Sequence, residues 1–158
     1  MEYIQRKGSA DSFCLFCSLA DAEVGAADET IIARSKHCFS LLNRYPYTYG
    51  HCMVVPLAHL SSPEEMTSAA LTDQMTMVNR LMRVLREVAT PQGFNIGANI
   101  GAAAGAGIAS HYHFHVVPRW AGDANFMATI GETQTIADTL PGIAETMRAG
   151  WAALYDAG

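Results

Sequence analysis

Apolar positions along this chain fall into blocks with two different periods, and the blocks predict the elements. Residues 30–34 (TIIAR) and 37–43 (HCFSLLN) are short apolar runs rich in β-formers, read as two strands joined by a tight turn at Ser35 and Lys36. Residues 43–50 are turn-rich, and residues 51–56 (HCMVVP) then read as a short buried strand. Beyond Pro63 the spacing changes. Leu71, Met75, Val78, Met82, Leu85 and Val88 recur at steps of three and four, which predicts one face of a helix with Arg80, Arg83 and Arg86 off it and residues 91–93 ending it. Residues 94–100 and 111–117 return to a two-residue period and predict two more strands, the second closed by Pro118. A last helix is predicted over residues 141–155, with Ile143, Met147, Trp151 and Leu154 on one side. Residues 1–12 read as an irregular arm, and residues 18–28 as a short helix or turn.

Strands outnumber long helices and are joined by short loops, so the class is α+β: an antiparallel sheet with helices packed on it. No repeat or linker interrupts the 158 residues, and a chain of this length makes one domain, 1–158. Half the residues are apolar and 16% are charged, which excludes intrinsic disorder. The net charge of −5 disfavours a grip on nucleic acid through its phosphates, and no apolar run suits a bilayer. The first residues lack the apolar core of a secretory signal, so a cytoplasmic location is expected, and with it thiols or metal ligands rather than disulfides. Neither nucleic acid nor membrane is therefore an expected partner.

Candidate chemistry concentrates in His111, His113 and His115. Strict alternation on a strand sets three imidazoles on one face, with Tyr112, Phe114 and Val116 on the other. Three rings in that pattern are poor core material, because each brings polar nitrogens that burial leaves to be satisfied. The preceding run, residues 99–110, has three glycines and no side chain larger than isoleucine, so its backbone N–H groups can approach a ligand as phosphate cradles do. It lacks the lysine of a Walker loop. Between Glu87 and Asp123 no acid occurs and Arg119 is the sole formal charge, a composition suited to a polyphosphate. The pair Cys14 and Cys17 reads as half a zinc site, a redox pair or idle thiols, and the other ligands would come from His37, His51, His59, His111, His113 or His115. Cys38 and Cys52 lie in apolar stretches and read as small core residues.

The run His111 to Arg119 (HYHFHVVPR) resembles the signature of the histidine-triad (HIT) family, and the similarity extends from Cys14 to Asn125 through residues 43–51, the strand ending at Pro56, and the glycine-rich run. The tail, residues 117–126, resembles the branch of diadenosine-tetraphosphate phosphorylases and Fhit-like dinucleoside polyphosphate hydrolases. The resemblance implies a five-stranded antiparallel sheet continued across a homodimer. It also implies cleavage of nucleoside polyphosphates at the α-phosphorus through a nucleotidyl-histidine. By position, His113 would be the nucleophile, with His115 and His51 donating hydrogen bonds to phosphate oxygens. Asn43 would bind ribose; Asn99 with Gly105, Gly107 and Ser110 of the loop would contact phosphates. A structural zinc ion would be held by Cys14, Cys17, His59 and His111, with no organic cofactor. The loop 104–110 departs from the family pattern: it is one residue longer and lacks the glutamine and hydroxyl at its centre. Two other readings stand beside this one: a zinc enzyme using the triad itself as ligands, its argument weakened by the missing carboxylates, and a nucleotide sensor without turnover.

Overall fold

A computed structural model describes residues 14–25, 30–123 and 138–156. The N-terminal arm expected over residues 1–12 lies outside them, as do residues 26–28 of the short element expected over 18–28. What is described of that element is α1, Leu15–Leu19, which begins three residues earlier than expected. The apolar runs form β1 (Ile31–Arg34), β2 (Cys38–Leu42) and β3 (Cys52–Pro56). The helix α2 (Ser68–Ala89) follows, then β4 (Gly93–Gly97), β5 (Phe114–Arg119) and the helix α3 (Leu140–Tyr155). The strands make one antiparallel sheet in the order β1-β2-β3-β5-β4.

The central strands are apolar on both faces because both are covered. Cys38, Leu42, Cys52, Val54 and Val116 pack beneath α2 and α3 with Leu81, Leu85, Ile143 and Met147. On the opposite face Ile31, Phe39, Leu41, Met53 and Val55 pack with Phe16 of α1. Met53 pairs with His115 across β3 and β5, so His115 shares the face of Phe16 while Val116 points to the helices.

The helical stripe is rotated from the expected one. Leu71 and Met75 are 37% and 41% exposed, and the buried positions of α2 are Gln74, Met77, Val78, Leu81, Val84 and Leu85. The cause is α3, which packs on one flank of α2 and turns the covered arc toward Met77 and Val84. Gln74 is buried instead of Leu71, with its amide donating to the Val54 carbonyl and its oxygen accepting from the Tyr112 hydroxyl. Leu154 likewise lies outside the buried side of α3, where Tyr155 packs instead. Thr67 and Thr139 cap α2 and α3 by accepting from the N–H groups of Ala70 and Gly142.

Two strand limits also move. The first of the last two strands stops at Gly97, and β5 starts at Phe114 rather than His111. Pairing with β3 and β4 reaches back only to Phe114 and His115, so residues 111–113 have no ladder partner. They are held instead by the Tyr112 N–H donating to the Leu60 carbonyl at 2.6 Å. At its other end β5 runs through Pro118 to Arg119; β3 has already stopped pairing at Val116, so the proline sits at the sheet margin.

Candidate active site and metal clip

Three histidines, His51, His113 and His115, meet on the α1 face of the sheet. The turn before β3 sets the first. Gly50 has φ +70, where a Cβ would also meet Leu85 Cδ2 at 2.7 Å, so glycine suits the turn, and it delivers His51 fully buried. The Tyr47 backbone N–H donates to His51 Nδ1 at 3.0 Å, which makes that nitrogen the acceptor. The proton of a neutral ring is then on Nε2, which donates to His115 Nδ1 at 2.9 Å. His115 in turn carries its own proton on Nε2, directed away from His51. One backbone amide thus fixes the tautomers of two rings.

His113 is fixed the opposite way. Its Nδ1–H donates to the His111 carbonyl at 3.0 Å, leaving the Nε2 lone pair unshared beside His115, whose ring centroid is 5.0 Å away. Burial lowers the pKa of His113; burial and the neighbouring His115 and His113 push His51 down to about 3, and burial and His113 push His115 down to about 4. At neutral pH the pocket holds three uncharged rings: one with a free lone pair, one with a free N–H, and one acting through the second. In this structure both nitrogens of His51, which the resemblance casts as a donor to phosphate, are engaged with the Tyr47 N–H and His115.

His111 turns away from this group. Its Nε2–H donates to the Pro56 carbonyl at 2.9 Å, so Nδ1 faces Cys14 and Cys17. Cys14 Sγ lies 3.3 Å from that Nδ1, and Cys17 Sγ lies 3.6 Å from it and 3.1 Å from His59 Nδ1. All four ligating atoms are within 4.8 Å of one another. Zinc bonds of about 2.0–2.3 Å in a tetrahedron put ligand atoms about 3.3–3.8 Å apart, so this donor set fits a divalent metal of that kind. Cys14 immediately before α1 and Cys17 in its first turn present both thiols to one point. The triad rings do not converge on a common point: one belongs to this clip, the others to the pocket.

Of the remaining expected residues, Asn43 is tied to the pocket histidines through the His51 main chain. Asn43 accepts the Tyr45 N–H through Oδ1 at 2.9 Å, while its own N–H donates to the His51 carbonyl. Gly101 and Gly105 take φ of +80 and +87, and the Asn99 amide approaches Gly105 to 4.0 Å of where a side chain would begin. Gly105, Gly107 and Ser110 are exposed, and Ile108 packs onto the sheet face beneath the loop. Arg119 is held by Asp123 at 2.6 Å and Asn95 at 2.9 Å, so the lone charge of its stretch is paired.

Two contributors escaped the sequence reading. Tyr47 was lost in a loop of similar residues, and its ring also covers His51 at 4.5 Å. Phe16, only 2% exposed, lies against both His111 at 5.4 Å and His113 at 5.0 Å; its position between the two cysteines was the available signal.

The HIT domain model matches residues 24–122. The chain is 41% identical over 122 residues to AP-4-A phosphorylase of Mycobacterium tuberculosis, covering 77% of this chain and 63% of that relative's length. It is 30% identical over 89 residues to the asymmetrical bis(5'-nucleosyl)-tetraphosphatase of Schizosaccharomyces pombe, covering 56% of this chain and 48% of the relative. The crystal structure of a zinc-bound histidine triad family protein from Mycobacterium smegmatis superposes with a TM-score of 0.72 at 27% identity, over 92% of this chain and 97% of the other. With its sheet, its alternating histidines and the matched domain in agreement, this chain belongs to the histidine-triad family.

Proposed function

We propose that the chain cleaves dinucleoside polyphosphates of the diadenosine tetraphosphate type at the α-phosphorus through a nucleotidyl group on His113. The observation that carries this reading is the His113 Nδ1–H bond to the His111 carbonyl, which leaves the Nε2 lone pair on an uncharged ring beside His115. In the first step Nε2 forms a bond to the α-phosphorus and the bridging P–O bond breaks, releasing a nucleoside polyphosphate. In the second step an acceptor oxygen attacks the same phosphorus and the P–N bond breaks, returning the ring. Dividing one displacement in two lowers each barrier. The Nε2–H of His115 donates to the phosphate oxygens as charge grows there, with His51 and Tyr47 behind it holding the tautomer. Asn43 binds ribose; Asn99 and the loop of Gly105, Gly107 and Ser110 contact phosphates. The similarity to AP-4-A phosphorylase supports orthophosphate as the acceptor, and the similarity to the asymmetrical tetraphosphatase supports water.

Cys14, Cys17, His59 and His111 hold a zinc ion, which with four protein ligands is closed to substrate and acts in folding. The site works in a homodimer: β4 is an edge strand with Ile96 exposed, and a second copy would cover both. Among the described residues no helix is long and apolar enough to cross a membrane. The test is product analysis with diadenosine tetraphosphate, with and without orthophosphate. ADP plus ATP shows phosphorolysis, AMP plus ATP shows hydrolysis, and no turnover in either case rejects the enzyme in favour of a nucleotide sensor.

A further inference from the structure

We propose that Phe16 is a positioning residue for His113, and that the metal clip acts on the pocket through it. The proposal rests on His113 being the nucleophile, so its test includes a measurement that needs no turnover.

The clip and the pocket share one wall. Phe16 sits between Cys14 and Cys17 in the chain, and its ring stands edge-on to His111 at 77° and tilted to His113 at 53°. It thus touches one ring of the clip and one ring of the pocket. Phe16 is the buried residue of α1, a helix of five residues. So short a helix has no independent stability, and Cys14 before it has no side-chain hydrogen bond to an N-terminal amide. What fixes the place of Phe16 is the packing of its ring, the Cys14 and Cys17 contacts with His111 and His59, and Arg34, which donates to the Leu19 and Ala22 carbonyls at the far end.

His113 needs such a wall. An imidazole turns easily about its second side-chain torsion, and the half-turned ring exchanges Nδ1 for a carbon. In the observed orientation a single hydrogen bond, Nδ1–H to the His111 carbonyl, holds the ring, and the rings of Phe16 and His115 each lie with centroids 5.0 Å from it. The half-turned ring fills nearly the same space and is disfavoured by loss of the Nδ1–H bond; without Phe16 the ring gains room to tilt off that bond, so that the lone pair no longer points where the phosphorus must sit. The carbonyl that accepts from His113 belongs to His111, the residue whose ring is in the clip. Metal binding therefore constrains the nucleophile twice: through the main chain of His111, and through the phenyl ring that the cysteines flank.

The experiment compares wild type, Phe16→Ala and Phe16→Leu, each with metal and after chelation. Phe16 is no ligand, so Phe16→Ala should keep full metal content. Its kcat should fall about 100-fold with KM within threefold, the cost of about 1 Å of misplacement at the reacting atom. Phe16→Leu should recover at least tenfold of that loss. Chelation should lower the wild-type kcat by a similar factor while leaving Phe16→Ala less affected, because the two perturbations share a route. Nitrogen-15 spectra of the histidine rings give the reading without turnover: one His113 tautomer in the metal-bound wild type, and exchange between orientations in Phe16→Ala and in the chelated wild type. A Phe16→Ala protein with kcat within threefold of wild type, or unchanged His113 ring signals in both perturbed samples, overturns the proposal. Should Phe16→Ala fail to fold, Phe16→Leu and the chelated wild type carry the same spectral test. A wild type that gains no label on His113 yet shows the expected spectra defeats the nucleophile reading and leaves the positioning role standing.

Discussion

Three replacements of His51 separate its chemical from its structural role. Leucine at position 51 leaves the Tyr47 N–H without its acceptor and His115 Nδ1 without its donor, at 3.0 and 2.9 Å in the native pair. Tyr47 is exposed and His115 half-buried, so water partly replaces the lost partners and His51→Leu should lose about 0.5–1.5 kcal/mol of stability. Catalysis should suffer more, because nothing then holds His115 with its proton on Nε2, and a lost preorganised donor costs about 100- to 1000-fold in kcat. Asparagine places an oxygen where Nδ1 was and should restore much of the stability without the rate. Glutamine places an amide N–H where Nε2 was, so His51→Gln should hold kcat within about tenfold of wild type. Urea unfolding and steady-state kinetics on the three variants, with ring nitrogen spectra of His115, check this. Equal kcat in His51→Gln and His51→Leu would refute the tautomer argument.

Other expectations follow from the same geometry. Gly50→Ala puts a Cβ at φ +70 and 2.7 Å from Leu85 Cδ2; left-handed strain of about 1–2 kcal/mol and overpacking of about 1–3 kcal/mol should lower the urea midpoint, and an unchanged midpoint would contradict the turn. His51 and His115 have folded pKa values held near 3 and 4, below the unfolded value of about 6.5, so as pH falls the unfolded chain takes up protons that the folded one refuses. Stability should therefore drop between pH 6.5 and 4, by at most about 1.4 kcal/mol per unit for each ring, and His51→Gln should flatten the slope. Cys17→Ser should lose stoichiometric zinc and melt at lower temperature; a variant that keeps its metal would show the ligand set to be wrong.

The elements that depend on local pattern were legible in the chain. Residues 51–56 read as a buried strand because both faces of β3 are covered, and the turn at Ser35 and Lys36 stood out between two apolar runs. Leu71, Met75 and Leu154 were misread for one reason: periodicity reports that a helix has an apolar side, whereas the neighbour that covers it decides which arc is buried, and the packing of α3 on α2 is nonlocal. The alternation of His111, His113 and His115 pointed to a site, and only the resemblance divided its rings between the metal clip and the other histidines. That division comes from the Pro56 and His111 carbonyls and the Tyr47 amide, backbone groups whose positions no residue type announces. The start of β5 at Phe114 has the same origin, since only the limits of β3 and β4 show that His111 is free to leave the sheet for the cysteines.

The central claim is that His113 carries the nucleotidyl group while His111 serves the metal and His115 the charge. Rapid quenching with α-labelled diadenosine tetraphosphate, followed by acid-lability analysis of the protein, tests it directly. Wild type should acquire an acid-labile label on His113, His115→Asn should acquire it about 100- to 1000-fold more slowly, and His113→Asn should acquire none while keeping full metal content and nucleotide binding. Label on the His113→Asn protein, or loss of its metal, would contradict the assignment of roles along the triad.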